Sequence, residues 1–206
     1  MVSDKRWDFY AGFYNPLLRL AAAPRRQVFA RLALNEPQRI YLAGCGSGLD
    51  LAYLPKGSQV HAVDFSEAML AKCEQQAKQL EKQGHKLELT LQQRQAELSG
   101  LPDNSMDLVI LHLILAVTDD PQGLLAEAVR VLKPNGIISV WDKFVPPEKD
   151  VGVLRKVADY VSRKLGTTLL LQIDPLLQPH SLAIMQRYGL LHGQMQHLIL
   201  RKIGQE

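Results

Sequence analysis

At 206 residues, 47% hydrophobic and 22% charged, the chain can bury one domain-sized core and is too apolar for wholesale disorder. A formal net charge of +3 does not demand a nucleic-acid partner, and no apolar run reaches the roughly 18 residues a membrane span needs. Cysteine stands only at positions 45 and 73, with no CxxC or Cys/His cluster, so no metal site is expected and both read as reduced thiols of a cytoplasmic protein. The first residues show no charged n-region followed by an apolar h-region, so no signal peptide is expected.

Residues 1–35 read as an amphipathic helical cap, with Phe9, Phe13, Leu17, Leu18 and Leu20 on one face. The same segment carries Lys5, Arg6, Arg19, Arg25, Arg26 and Arg31 against Asp4 and Asp8. That surplus suits a solvated helix face or an anionic lipid surface. "RIYLA" (39–43) is a first strand, and "DLAYL" (50–54) starts a helix or turn that Pro55 stops. "QVHAVD" (59–64) is a second strand. Ser66 then caps a helix that runs to Gly84. "KLELTLQ" (86–92) alternates as a third strand, and "DLVILHLI" (107–114) is a buried fourth. A helix over 121–133 opens with a proline, "PNG" (134–136) turns, and "IISVWDKF" (137–144) is a fifth strand. Beyond it, 148–165 and 179–189 read as helices and "HLILRKI" (197–203) as a final strand.

Strand–helix alternation over the middle of the chain predicts an α/β fold: a three-layer α/β/α sandwich, Rossmann-like, with a mostly parallel sheet and an antiparallel C-terminal strand. The boundaries expected are a single domain of 1–35 (helical cap), 36–144 (core) and 145–206 (acceptor-side helices and last strand).

In such a sheet, ligands bind beyond the carboxyl ends of the strands. Gly44, Gly46 and Gly48 in "AGCGSGLDL" sit there, after the first strand, and allow close backbone approach. Asp64 ends the next strand, where a carboxylate can accept both hydroxyls of a ribose. The spacing is GxGxG; Leu49 stands where the dinucleotide pattern GxGxxG needs its last glycine, so a pyrophosphate loop is not indicated.

Four stretches in order, "AGCGSGLDL", "VHAVDFSEAML", "LPDNSMDLVILHLILAVTDDP" and "EAVRVLKPNGIISVWDKF", resemble the class I S-adenosylmethionine-dependent methyltransferases. The "GLDL" and "DKF" details resemble the branch of bacterial phospholipid N-methyltransferases and quinone-pathway C-methyltransferases. The resemblance implies S-adenosylmethionine as cofactor. It places the backbone of Ala43, Gly44, Cys45, Gly46 and Gly48 at the methionine end and Asp64 at the ribose. Phe65 and Met69 fall near the adenine, Gln95 and Ala96 at its edge, and Leu111 beside the sulfonium. Two departures stand out: Leu42 replaces an acid expected two residues before the first glycine, and Gln95 replaces another. Asp50 is a candidate to restore the missing charge.

The implied reaction is methyl transfer by in-line displacement, in which positioning is the main catalytic effect. Tyr14 is the first candidate to position the acceptor and His112 a candidate base, with Tyr10 and Asp142 behind them. No [DN]PP[YFW] tetrad follows the fourth strand, so a nucleobase amine is not the expected acceptor; a small molecule or lipid headgroup is, with peripheral membrane contact through the N-terminal segment. The alternative carried alongside is a non-catalytic regulatory protein of the same fold with a weakened cofactor site.

Overall fold

The computed structural model describes residues 22–145, 159–160, 167–191 and 193–203. Tyr10, Tyr14, the apolar residues expected on the N-terminal face and most of the helix expected over 148–165 lie outside them. Of the latter, Asp159 and Tyr160 are helical.

Seven strands make one sheet: β1 (Arg39–Ala43), β2 (Gln59–Asp64), β3 (Glu88–Gln93), β4 (Met106–His112), β5 (Leu132–Asp142), β6 (Leu182–Leu190) and β7 (Met195–Lys202). Their order is β3-β2-β1-β4-β5-β7-β6. The first five run parallel, and β7 is antiparallel to both neighbours. Strand order reverses between β1 and β4, so the crevice at their carboxyl ends is the natural ligand edge.

Among the described residues, the sheet is accompanied by α1 (Ala22–Leu32), α2 (Glu67–Lys82), α3 (Pro121–Val131) and the short α4 (Ile173–Leu177). Their ends follow local chemistry. Ser66 Oγ accepts from Met69 N at 3.2 Å to open α2. Asp120 Oδ1 accepts from Gly123 N at 2.8 Å to open α3, with Pro121 in its first turn.

Alternation along β1 sorts the core onto two faces. Tyr41 and Ala43 join Val109, Leu111, Ile138 and Val140 beneath Leu124, Leu125 and Ala128 of α3. Ile40 and Leu42 join Val60, Ala62, Leu108 and Ile110 beneath Phe29, Leu51, Leu54 and Cys73. Leu42, the departure noted in the sequence, is thus a core residue, 1% exposed. A carboxylate there would be buried among hydrocarbon without a partner.

One element differs in kind. Residues 179–189 are not a helix: Leu182–Leu190 is an edge strand paired antiparallel with β7. Its ladder slips between Ile184 and Gln186, so Met185 is an inserted residue. The bulge breaks the period-two alternation by which a strand is recognised. The "PNG" turn is present, with Asn135 at φ 62°, but it interrupts a strand that has already begun: Leu132 pairs with Met106 before the turn and Ile137 with Leu108 after it.

Candidate active site

The chain leaves β1 at Ala43 and turns on three left-handed glycines, Gly44 (φ 65°), Gly46 (φ 51°) and Gly48 (φ 78°). Cys45 N donates to Val63 O at 2.9 Å and ties the loop to the end of β2. Gly48 N then donates to Cys45 O and Leu51 N to Gly48 O, at 3.0 and 3.1 Å, folding the exit into the 3₁₀ turn Leu51–Tyr53. The three glycines are not equivalent. A Cβ on Gly44 would stand 2.5 Å from Ile114 Cδ1, and one on Gly48 2.9 Å from Cys73 Sγ and 3.1 Å from Cys73 Cα. A Cβ on Gly46 would meet nothing within 4 Å. The middle of the loop therefore borders open space while its ends are packed shut.

Asp64 stands across that space. Its Oδ2 accepts from Gly46 N at 2.8 Å and its Oδ1 from Ser66 N at 2.9 Å. Burial pushes its carboxyl up from the ordinary value, against the pull of the Ser66, Gly46 and Phe65 backbone amides. Phe65 beside it is 37% exposed, whereas Met69, a turn into α2, is buried. After β3, Gln95 is exposed and Ala96 buried. The Ala96 carbonyl accepts from Tyr41 Oη at 2.7 Å, so a tyrosine in the middle of β1 holds the loop after β3. The Cys45 thiol is pushed up by its hydrogen bond with Cys73 and then by burial, and neither cysteine is bonded to another.

The end of β4 differs from expectation. Leu111 is wholly buried in the core. His112 has both ring nitrogens engaged inside the protein: Nδ1 with Asp50 Oδ2 at 2.9 Å and Nε2 with Ser139 Oγ at 2.8 Å. Phe29 and Trp141 meet its ring edge-on, with centroids 5.4 and 5.7 Å away. Asp50 is not turned toward a ligand either. Its Oδ1 accepts from Arg25 Nε at 2.5 Å, and Arg25 also lies 5.3 Å over the Trp141 ring. Arg25 therefore belongs to the interior, not to a solvated basic face. Asp142 is wholly buried, accepting from Ala116 N at 2.9 Å and Lys143 N at 2.7 Å; the Lys143 ammonium turns instead to Thr167 Oγ1 at 3.0 Å.

Arg25, Tyr41, Asp50 and Ser139 all take part in this architecture; of these the sequence singled out Asp50 as a charge near the loop and Arg25 only as one of a basic surplus. A tyrosine inside an apolar strand was a signal of sorts. Arg25 and Asp50 are 25 residues apart and nothing in their spacing links them.

Residues 42–140 match a family model described as a methyltransferase domain. Over that span the chain is similar to methyltransferases. The chain is 27% identical over 164 residues to a phosphatidylethanolamine N-methyltransferase of Cereibacter sphaeroides, covering 80% of this chain and 77% of that protein. It is 30% identical over 138 residues to a thiol S-methyltransferase of Rattus norvegicus, covering 63% of this chain and 54% of that one. It thus spans about half the length of the second relative. Among solved structures, a methyltransferase of Bacillus halodurans superposes with a TM-score of 0.73 at 16% identity, covering 89% of this chain and all (100%) of that one. A second, from Aquifex aeolicus, gives 0.64 at 17%, covering 87% and 89%. At these identities the structural likeness speaks for the fold.

Proposed function

We propose that this chain transfers the methyl group of S-adenosylmethionine to an amine of a small molecule or phospholipid headgroup. The observation that carries the cofactor assignment is the Asp64 carboxylate, held by Gly46 and Ser66 amides beside the open middle of the glycine loop. Two amide hydrogen bonds leave acceptor capacity on both oxygens for a ribose diol. The glycine at 46 leaves room that a side chain would fill. The residues present therefore fit the cofactor, and tolerance of Leu42 follows from its place in the core. The matches with named methyltransferases do not favour the non-catalytic alternative.

In this reading Asp64 accepts from the ribose, and the backbone of Ala43, Gly44, Cys45, Gly46 and Gly48 lines the methionine end. Phe65 and Met69 flank the adenine, with Gln95 and Ala96 at its edge. Leu111 contributes backbone beside the acceptor, since its side chain is in the core. When bound, the sulfonium supplies a methyl group already activated for in-line displacement, so the chain's task is orientation.

The two candidate bases among the described residues support an amine acceptor. His112 and Asp142 are both buried and engaged by neighbouring groups. A neutral amine needs no base to attack a sulfonium, whereas a hydroxyl or carbon acid does. The phosphatidylethanolamine N-methyltransferase likeness supports the same class. Tyr14 is the residue assigned to position the acceptor, from a helical cap over 1–35 against a core of 36–144 and an acceptor side of 145–206. A phospholipid acceptor would bring a cytoplasmic protein to the membrane surface. The surplus of arginine and lysine in residues 1–31 supports that contact, although Arg25 is withdrawn from it. No helix among the described residues is long and apolar enough to cross a membrane.

The test is transfer of labelled methyl from S-adenosylmethionine to phosphatidylethanolamine vesicles, small amines and small thiols in parallel. Label in an amine product is expected. Label in thiol alone would move the acceptor to sulfur.

A further inference from the structure

The contacts of Asp50 and His112 extend into a longer chain. Arg25 Nε donates to Asp50 Oδ1 at 2.5 Å, and Asp50 Oδ2 meets His112 Nδ1 at 2.9 Å. His112 Nε2 meets Ser139 Oγ at 2.8 Å, and Ser139 Oγ meets His197 Nε2 at 3.1 Å. Every member is at most 7% exposed. The chain crosses α1, the glycine-loop exit, β4, β5 and β7 in turn.

Its direction is fixed from one end. A carboxylate only accepts, so His112 Nδ1 carries a proton and donates to Asp50. With Nε2 as acceptor, the Ser139 hydroxyl donates to it and in turn accepts from His197 Nε2–H. That leaves the buried His197 Nδ1 as an unprotonated nitrogen with no partner, the cheaper kind of orphan. Burial, with His112 and Arg31 nearby, pulls the His197 imidazole down to about 3, in keeping with a neutral ring at that end. Three donations then run one way, from His197 through Ser139 and His112, and meet the donation from Arg25 on the Asp50 carboxylate, whose charge Arg25 balances.

Two carboxylates thereby flank the glycine loop, one at its middle and one at its exit. Asp64 grips its middle through Gly46 N. Asp50 grips its exit, two residues past Gly48, where Tyr53 N closes onto Asp50 O at 3.0 Å. The Asp64 carboxylate stands beside open space; the Asp50 carboxylate faces Arg25 and His112.

We propose that Asp50 and His112 are positioning residues for the cofactor, fixing the shape of the glycine loop and making that shape depend on the docking of α1 through Arg25. This rests on the loop being the cofactor loop. Two consequences follow. Cofactor affinity falls when α1 is uncoupled from the loop, with no ligand contact removed. By linkage, cofactor binding strengthens the docking of α1 by the same factor.

The test is isothermal titration with S-adenosylhomocysteine on the full chain, reading affinity and stoichiometry separately. Asp50→Asn keeps the shape but turns one acceptor into a donor facing a donor, and Arg25→Met keeps the bulk without the charge. Each is expected to weaken binding about tenfold, the effect of losing a charge-assisted hydrogen bond, at unchanged stoichiometry. The double variant should be little weaker than either single one, because both break the same chain. His112→Asn presents an amide N–H close to where Nδ1–H stood and should keep near-native affinity, whereas His112→Leu should not.

A purely structural role would show as falling stoichiometry, from a lost folded fraction, with unchanged affinity in the remainder; that result overturns the proposal. So do full additivity of Arg25→Met and Asp50→Asn, or equal loss in His112→Asn and His112→Leu. No binding by the unaltered protein would overturn the cofactor assignment, and this inference with it. Native binding with unaltered variants overturns this inference alone.

Discussion

The Gly46 amide donates to the Asp64 carboxylate at 2.8 Å, joining the loop after β1 to the end of its parallel neighbour β2. The bond fixes the carboxylate before any ligand arrives, so little reorganisation is left for binding. Asp64→Ala should weaken S-adenosylmethionine by about 1.5–3 kcal/mol, the range for hydrogen bonds to a charged group, read by titration. Unchanged affinity would sink the ribose assignment.

Gly46 and Gly48 separate stability from binding. Both have positive φ, so alanine at either carries about 1–2 kcal/mol of backbone strain. At Gly48 the new methyl also collides with Cys73, adding about 1–3 kcal/mol of overpacking. Gly48→Ala should therefore lower the melting temperature clearly more than Gly46→Ala does. Gly46→Ala points its methyl into the open space of the loop and should show the larger loss of cofactor affinity for its small loss of stability.

Tyr41→Phe tests the loop after β3. The Ala96 carbonyl would lose its buried partner, at a cost of about 1–3 kcal/mol in stability by chemical denaturation. The relaxed loop carries Gln95, so affinity for S-adenosylmethionine should drop more than affinity for methionine alone.

Asp50 and Asp64 should give stability opposite dependences on pH. Burial pushes the Asp50 carboxyl up, but His112 and Arg25 overcome it and hold it below the usual range. A depressed folded value means stability that is fully present above the unfolded value of about 3.9 and lost as pH falls through the folded one. Asp64 is raised, mainly by burial, so its ionisation removes stability as pH climbs from the unfolded value through the folded one. Denaturation profiles of Asp50→Asn and the unaltered protein should converge in acid. Those of Asp64→Ala should shift in the protein's favour, relative to the unaltered chain, as pH rises above about 4.

Much of the sheet was legible because its signals are local. "RIYLA" and "QVHAVD" are strands with the expected bounds, and Ser66 caps where its hydroxyl predicts. β6 was not, because the extra residue Met185 spoils the alternation that pairing with β7 would otherwise reveal. At the site, the loop and Asp64 were readable from glycine spacing and strand ends. The roles of Arg25, Ser139 and His197 were not, because the contacts that define them join α1, β5 and β7, and only the folded sheet brings these together. His112 was misleading for the same reason: a histidine at a strand end looks available until its neighbours are known.

β7 follows β6 in sequence but lies inside it in the sheet, second from the edge. β6, which precedes it, has no place on β5 and must wait for its successor to be inserted between them. During synthesis the parallel core can form as its residues emerge, while β6 stays unmoored until the strand after it leaves the ribosome. His197 travels on that later strand, so the buried hydrogen-bond chain that ends on Asp50 closes only once β7 is in place. The order of manufacture thus sets a checkpoint: the glycine loop gains its full support only after the sheet is finished.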